Sequence, residues 1–143
     1  MEDNPALKAI ATDLFEQAHR QAVWRSLWGR LTGKNVAVQC LAGAGSGTRG
    51  SGRRAGAQSI SIAQIRGSEG RCQGFDAQFN PLHWQDRRRW VALCYAWLSG
   101  VKLPPVELIQ VDDVYYVRDG HHRISVARAL GQEQIDAEVL QWE

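Results

Sequence analysis

Residues 104–140 carry the pattern that most limits the folds open to this chain, because punctuation and apolar periodicity agree there at every step. Pro104-Pro105 imposes an extended backbone. Val106–Val111 reads as a strand, Asp112-Asp113 as a turn and Val114–Val117 as the returning strand, which makes a hairpin. Asp119-Gly120 turns the chain again. A helix is expected from His122 to Leu130 with Gly131 as its stop, and Ile135–Leu140 closes as a strand.

Earlier segments yield to the same reading. Ser59–Ile65 alternates apolar and polar residues as a half-buried strand does, and Gly67–Arg71 follows as a loop. A helix is expected over 81–99, capped by Asn80, opened by Pro81 and ended by Gly100. Trp90, Leu93, Cys94, Trp97 and Val101 line one face of it. Its Arg87-Arg88-Arg89 run fits a solvated face better than a nucleic-acid patch, and DNA stays a candidate partner. Residues 42–57 are rich in Gly, Ser and Arg and read as a linker. Their glycines are followed by more glycine and arginine, not by a helix or a Gly-Lys-Ser/Thr ending, so a nucleotide loop is set aside. Residues 5–31 read as one helix with Asn4 as cap, Pro5 at its first position and Gly33 as stop. Its apolar stripe runs from Leu7, Ile10, Ala11, Leu14, Phe15 and Ala18 on through Trp24, Leu27, Trp28 and Leu31. One reading is a helix for a membrane surface or a partner. The favoured one is a helix packed on its own domain or on its twin in a homodimer, since its first half is acidic and mixed.

The chain has 143 residues and a formal net charge of +2. That length suits one domain with an extension and a core needing no disulfides. The charge neither demands nor excludes nucleic acid. Cys40, Cys72 and Cys94 are odd in number and lack metal-site spacing, so reduced thiols in a cytoplasmic protein are expected. The first residues are acidic and no apolar run reaches the length of a membrane span, so neither a leader nor a span is expected.

The chemistry concentrates in Asp119-Gly120-His121-His122-Arg123, where a strand ends and a helix begins. Free backbone N–H groups and the positive end of a helix dipole favour an anion at such a place. Gly120 lets backbone approach a ligand closely. Arg123 can hold a phosphate through two parallel hydrogen bonds. His121 and His122 can donate hydrogen bonds or exchange a proton near neutral pH. Asp119 can cap the helix, hold a metal ion or accept a proton.

These motifs carry a family resemblance. The Pro-Pro-Val-Glu-Leu segment, then Val-Tyr-Tyr-Val-Arg-Asp-Gly-His-His-Arg, then Ala-Arg-Ala-Leu-Gly and a closing strand, resemble the ParB-like domain of the ParB/sulfiredoxin superfamily. Ser59–Ile65 with the Gly67–Arg71 loop resembles the first conserved box of that domain, so the likeness spans residues 58–143. Sulfiredoxins are similar in having Gly-Cys-His-Arg at this turn, with the cysteine doing the redox chemistry. His121 stands at its place here, so sulfinic-acid reduction is not expected. Chromosome-partition proteins carry Gly-Glu-Arg-Arg there and bind CTP. Gly120 and Arg123 match, His121 and His122 do not, and no helix-turn-helix follows, so a full partition protein is not expected. ADP-dependent free-serine kinases resemble the chain more closely at the motif, with an Asp-Gly-His turn and a glutamate in the first box. That likeness implies Glu69 as general base, Asp119 as a second acidic residue, and His121, His122 and Arg123 on the transferred phosphate, with Mg2+ neutralising charge. Nuclease activity is also attached to the family name, and two acidic residues are few for it.

The expected fold is therefore α+β, a small mixed β-sheet flanked by helices, ParB/sulfiredoxin-like, with an N-terminal helical extension. The expected divisions are a helical extension at 1–41, a linker at 42–57 and the ParB-like domain at 58–143. Glu69, Asp119 and His121 are the catalytic candidates. Ser68, Arg71, Gly120, His121, His122 and Arg123 are the ligand-binding ones, with no dedicated metal-ligating set. The expected ligand is a nucleotide (ATP, ADP or CTP) or another phosphate compound, with Mg2+ as a candidate companion. Binding module, small kinase or nucleotide hydrolase, and DNA-associated accessory protein remain open alternatives.

Overall fold

The computed structural model describes residues 4–34, 39–40, 53–70 and 74–141. Helix α1 spans Pro5–Thr32. The Asn4 side chain accepts from the Ala6 and Leu7 amides, and Gly33 closes the helix in the left-handed region at φ 73°. Strands β1 (Gln39–Cys40), β2 (Arg53–Ser61) and β3 (Ile65–Ser68) follow, then α2 (Arg87–Leu98). The hairpin β4 (Val106–Val111) and β5 (Val114–Asp119), helix α3 (His121–Ala129) and β6 (Gln134–Gln141) complete the chain. The hairpin, helix and last strand lie where the Pro, Asp and Gly punctuation predicts.

Two expected elements are rearranged for visible reasons. The strand expected over Ser59–Ile65 is two strands separated by a 3-10 turn at Ile62–Gln64. β2 pairs antiparallel with β6 at one end of the sheet, whereas β3 pairs parallel with β5 near the other. One continuous strand could not serve both partners. The apolar alternation survives because Ile60, Ile62 and Ile65 all point into the same core. β2 also begins at Arg53, ahead of Gln58, so 53–57 belong to the sheet, while the rest of the expected linker (42–52) lies outside the described residues.

The helix expected from Pro81 starts at Arg87. The buried Asp76 carboxylate accepts from the amides of Gln78 and Asn80, both at 2.9 Å, and from Asn80 Nδ2 at 3.1 Å. Asn80 is thus engaged backwards instead of capping a helix, and Pro81 pairs with Phe75 in a short bridge. Local side-chain hydrogen bonds of this kind compete with helix initiation.

The sheet order is β1-β3-β5-β4-β6-β2, with both parallel and antiparallel neighbours, so the fold is α+β with a mixed sheet. α3 lies between two apolar clusters. Its Ile124 and Ala127 join Val106, Leu108, Val117, Ile135, Ala137 and Val139 of the sheet. Val126 joins Trp90 and Cys94 of α2 and Ala11 and Phe15 of α1. The Trp90 indole donates to Ser125 Oγ at 2.8 Å, which satisfies a buried polar pair across α2 and α3. The first half of α1 is pinned on the same layer. The Asn4 amide donates to the Tyr95 hydroxyl at 2.8 Å, and His19 Nδ1 donates to the Pro81 carbonyl at 3.1 Å. No described helix is long and apolar enough to cross a membrane.

Candidate functional site

The site forms where β3 and β5 end together. Their parallel register sets Ser68 beside Val117, and the Glu69 amide donates to the Val117 carbonyl at 2.9 Å. Two segments 49 residues apart thereby meet, Ser68-Glu69 on one side and Arg118-Asp119-Gly120 on the other. Carboxyl ends of adjacent parallel strands are where open α/β sheets place their ligands. Gly120 adopts φ 107°, and a Cβ there would lie 2.5 Å from Val106 Cγ1, so this turn admits glycine alone. The turn delivers the chain straight into α3, whose start has no side-chain cap. The first N–H groups of a helix have no intrahelical partner and its dipole is positive there, so the start of α3 favours an anion.

A cleft of about 350 Å³ opens at this turn, lined by Arg89, Leu93, Arg118, Asp119, Gly120, His121, His122 and Arg123. Three guanidinium groups stand there against one carboxylate. Arg118 Nε donates to Glu69 Oε2 at 2.9 Å, which ties the end of β3 to the cleft wall. Arg123 is committed elsewhere as well. Its Nη1 donates to the carbonyls of Pro104 and Pro105 at 2.7 and 2.9 Å, and its Nη2 to Asp119 Oδ2 at 3.1 Å. It braces the Pro-Pro segment against the turn, which accounts for both motifs occurring together. Arg89 makes no ion pair among the described residues.

His121 and Ser68 are buried, and Ser68 Oγ lies 2.6 Å from His121 Nε2. The Phe75 ring stacks on His121 with centroids 6.0 Å apart and meets His122 edge-on at 5.2 Å. His122 Nε2 is 3.8 Å from Asp86 Oδ1. The two histidines are thus held in a wall of side chains, with His121 the deeper.

The sequence-derived residues therefore gather largely as a set. Asp119, Gly120, His121, His122 and Arg123 line the cleft, while Ser68 joins through His121 and Glu69 through Arg118. Arg71 lies outside the described residues. Sequence reasoning left out Arg118, Arg89, Phe75 and Asp86. For Arg118 a signal was present, since strand alternation turns it away from the buried Val117. Arg89 stood in a run judged to be a solvated face, and nothing in that run tells that Arg89 faces the cleft while Arg87 lies over the Trp84 ring at 5.5 Å.

Among the described residues no group of three or more His, Cys, Asp or Glu side chains converges. Glu69 and Asp119 each close on an arginine, so the residues present do not form a resident Mg2+ site. A larger hollow of about 890 Å³ lies at the opposite end of the strands, with Arg66, Arg128 and Glu133 as charged walls. It sits by Gly131, past the C-terminus of α3, where the helix dipole disfavours an anion, whereas the smaller cleft lies at the end of α3 that favours one.

The fold and cleft define an α+β domain with a cationic turn at a helix start. No family model matches the sequence, and no curated protein matches it. Among solved structures the chain is similar to sulfiredoxin from Arabidopsis thaliana, at 21% identity and a TM-score of 0.43, covering 58% of this chain and 82% of that one.

Proposed function

We propose that this chain binds a phosphate compound, a nucleotide in the fullest form of the reading, in the cleft at the start of α3. The observation that carries it is the three arginines and the start of α3 around one cavity at the ends of β3 and β5. Arg89 and Arg118 receive the phosphate at the start of α3, where the helix dipole favours an anion. Arg123 holds the turn in shape and adds charge from behind. A charge-assisted hydrogen bond lost from such a site costs about 1.5–3 kcal/mol, or roughly ten- to a hundredfold in affinity.

The experiment is a thermal-shift and calorimetric screen against ATP, ADP, CTP, GTP and pyrophosphate, with and without Mg2+. It is run on the wild-type chain, Arg89→Ala and Arg118→Ala. A ligand of the native state raises the melting temperature. The expected result is a shift with at least one compound that both variants weaken. No shift with any of them at millimolar concentration, or a shift that neither variant alters, would overturn the reading.

Glu69 decides between binding and catalysis. As the general base of a kinase, Glu69→Gln abolishes turnover and spares binding. As a counter-ion of Arg118 it is half-exposed, a setting in which a pair is worth about 0–1 kcal/mol. Glu69→Gln then frees Arg118 and tightens phosphate binding, by up to about fivefold. The ion pair in the structure supports the second role.

A further inference from the structure

The second half of α1 presents an apolar stripe that none of the described residues covers. Val23, Trp24, Leu27, Trp28 and Leu31 recur at helical spacing, and Trp24, Trp28 and Leu31 are 59%, 61% and 80% exposed. The stripe lies opposite the face that Ala11, Phe15, Ala18 and Ala22 bury against the domain. The helix therefore has two apolar faces with different destinations, and among the described residues only the inner one has its partner.

Charge tells what covers the outer one. From Arg20 to Lys34 the sequence holds Arg20, Arg25, Arg30 and Lys34 and no carboxylate. Arg20, Arg30 and Lys34 are exposed and flank the stripe, and none makes an ion pair among the described residues. A second copy laid stripe to stripe would set these cations against their own kind with no acid in the segment to answer them. Exposed aliphatic groups interleaved with the indoles need an apolar phase to enter, which stacked bases do not provide. A bilayer with anionic headgroups meets both demands. Its acyl boundary takes the leucines, its interface suits tryptophan, and its surface attracts lysine and arginine.

We propose that residues 20–34 of α1 dock this protein in the plane of an anionic lipid surface. The docking face is separate from the cleft at α3, and the inference does not rest on the phosphate reading.

The test mixes the full chain with vesicles of phosphatidylcholine alone or with about a third phosphatidylserine, and follows co-sedimentation and tryptophan emission. Partition into the anionic vesicles is expected to be roughly ten- to a hundredfold stronger, with a blue shift in emission, and to weaken as salt rises. The double variant Trp24→Ser, Trp28→Ser should lose it while keeping the wild-type melting temperature, since both side chains are solvent-exposed. Four results would overturn the proposal. They are equal or absent partition into the two vesicles, unchanged binding by the double variant, a wild-type dimer that the variant turns into a monomer, and displacement from vesicles by a single-stranded oligonucleotide that itself binds through the two tryptophans.

Discussion

Gly120 is the residue on which the turn depends. Any Cβ there meets Val106 in a left-handed backbone position. Gly120→Ala is expected to cost about 2–4 kcal/mol, combining backbone strain with overpacking, and urea unfolding measures it. Cys94 is fully buried, and burial pushes its thiol up to about 11. A buried thiol that resists ionisation stabilises the fold at low pH and loses that contribution as pH rises. Between the ordinary thiol range and about 11 the unfolded chain releases its proton while the native one keeps it. Stability should therefore fall over that window, and a Cys94→Ala variant should show a shallower fall. Peptide-resolved alkylation at pH 8 should leave Cys94 unmodified until denaturant is added. At this scale the sequence was readable where a residue's neighbours along the chain decide its role. Gly120, Asn4 and Gly33 are read from what precedes and follows them. Arg123 was read for its chemistry, and its bonds to the Pro104 and Pro105 carbonyls, set by packing across the turn, were invisible.

Among the elements, those with unambiguous stops were legible and those with internal competition were not. The β4–β5 hairpin and α3 lie between Pro105, Asp112-Asp113, Gly120 and Gly131, each of which permits one continuation. The segment before α2 offered Asn80-Pro81 as a helix start, and Asp76 took the Asn80 amide first. Asp76→Ala should leave the Gln78 and Asn80 amides without their acceptor in a part-buried loop, and cost about 3 kcal/mol. Asp76→Asn keeps one acceptor oxygen and should cost less, which thermal melts of the pair will separate. The break between β2 and β3 is likewise unreadable from Ser59–Ile65, because it follows from which distant strands each half must meet.

For the molecule as a whole, α3 contributes to both the sheet cluster and the helical cluster and so links the two layers. Unfolding followed by far-UV circular dichroism and by tryptophan emission should coincide in one transition. Phe15→Ala, which leaves a cavity in the helical cluster, is expected to cost about 3–5 kcal/mol and to move both probes together. Two separated transitions would show that α1 and α2 come away alone. The class of fold was legible from the order of elements, but the sheet order was not, and with it the meeting of Ser68-Glu69 and Arg118-Asp119 that builds the cleft. The first-box likeness drew Glu69 into the site by analogy; the parallel register is the physical reason it stands there.

β6 is the last described strand along the chain, yet it lies inside the sheet between β4 and β2. Synthesis order and sheet order thus run against each other. While a ribosome still holds residues 134–141, β4 has a bare edge and β2 has no neighbour to receive it. Open edges of this kind invite pairing with other nascent chains. The chain must keep them apart until residue 141 clears the exit tunnel, so its sheet closes only once β6 has emerged.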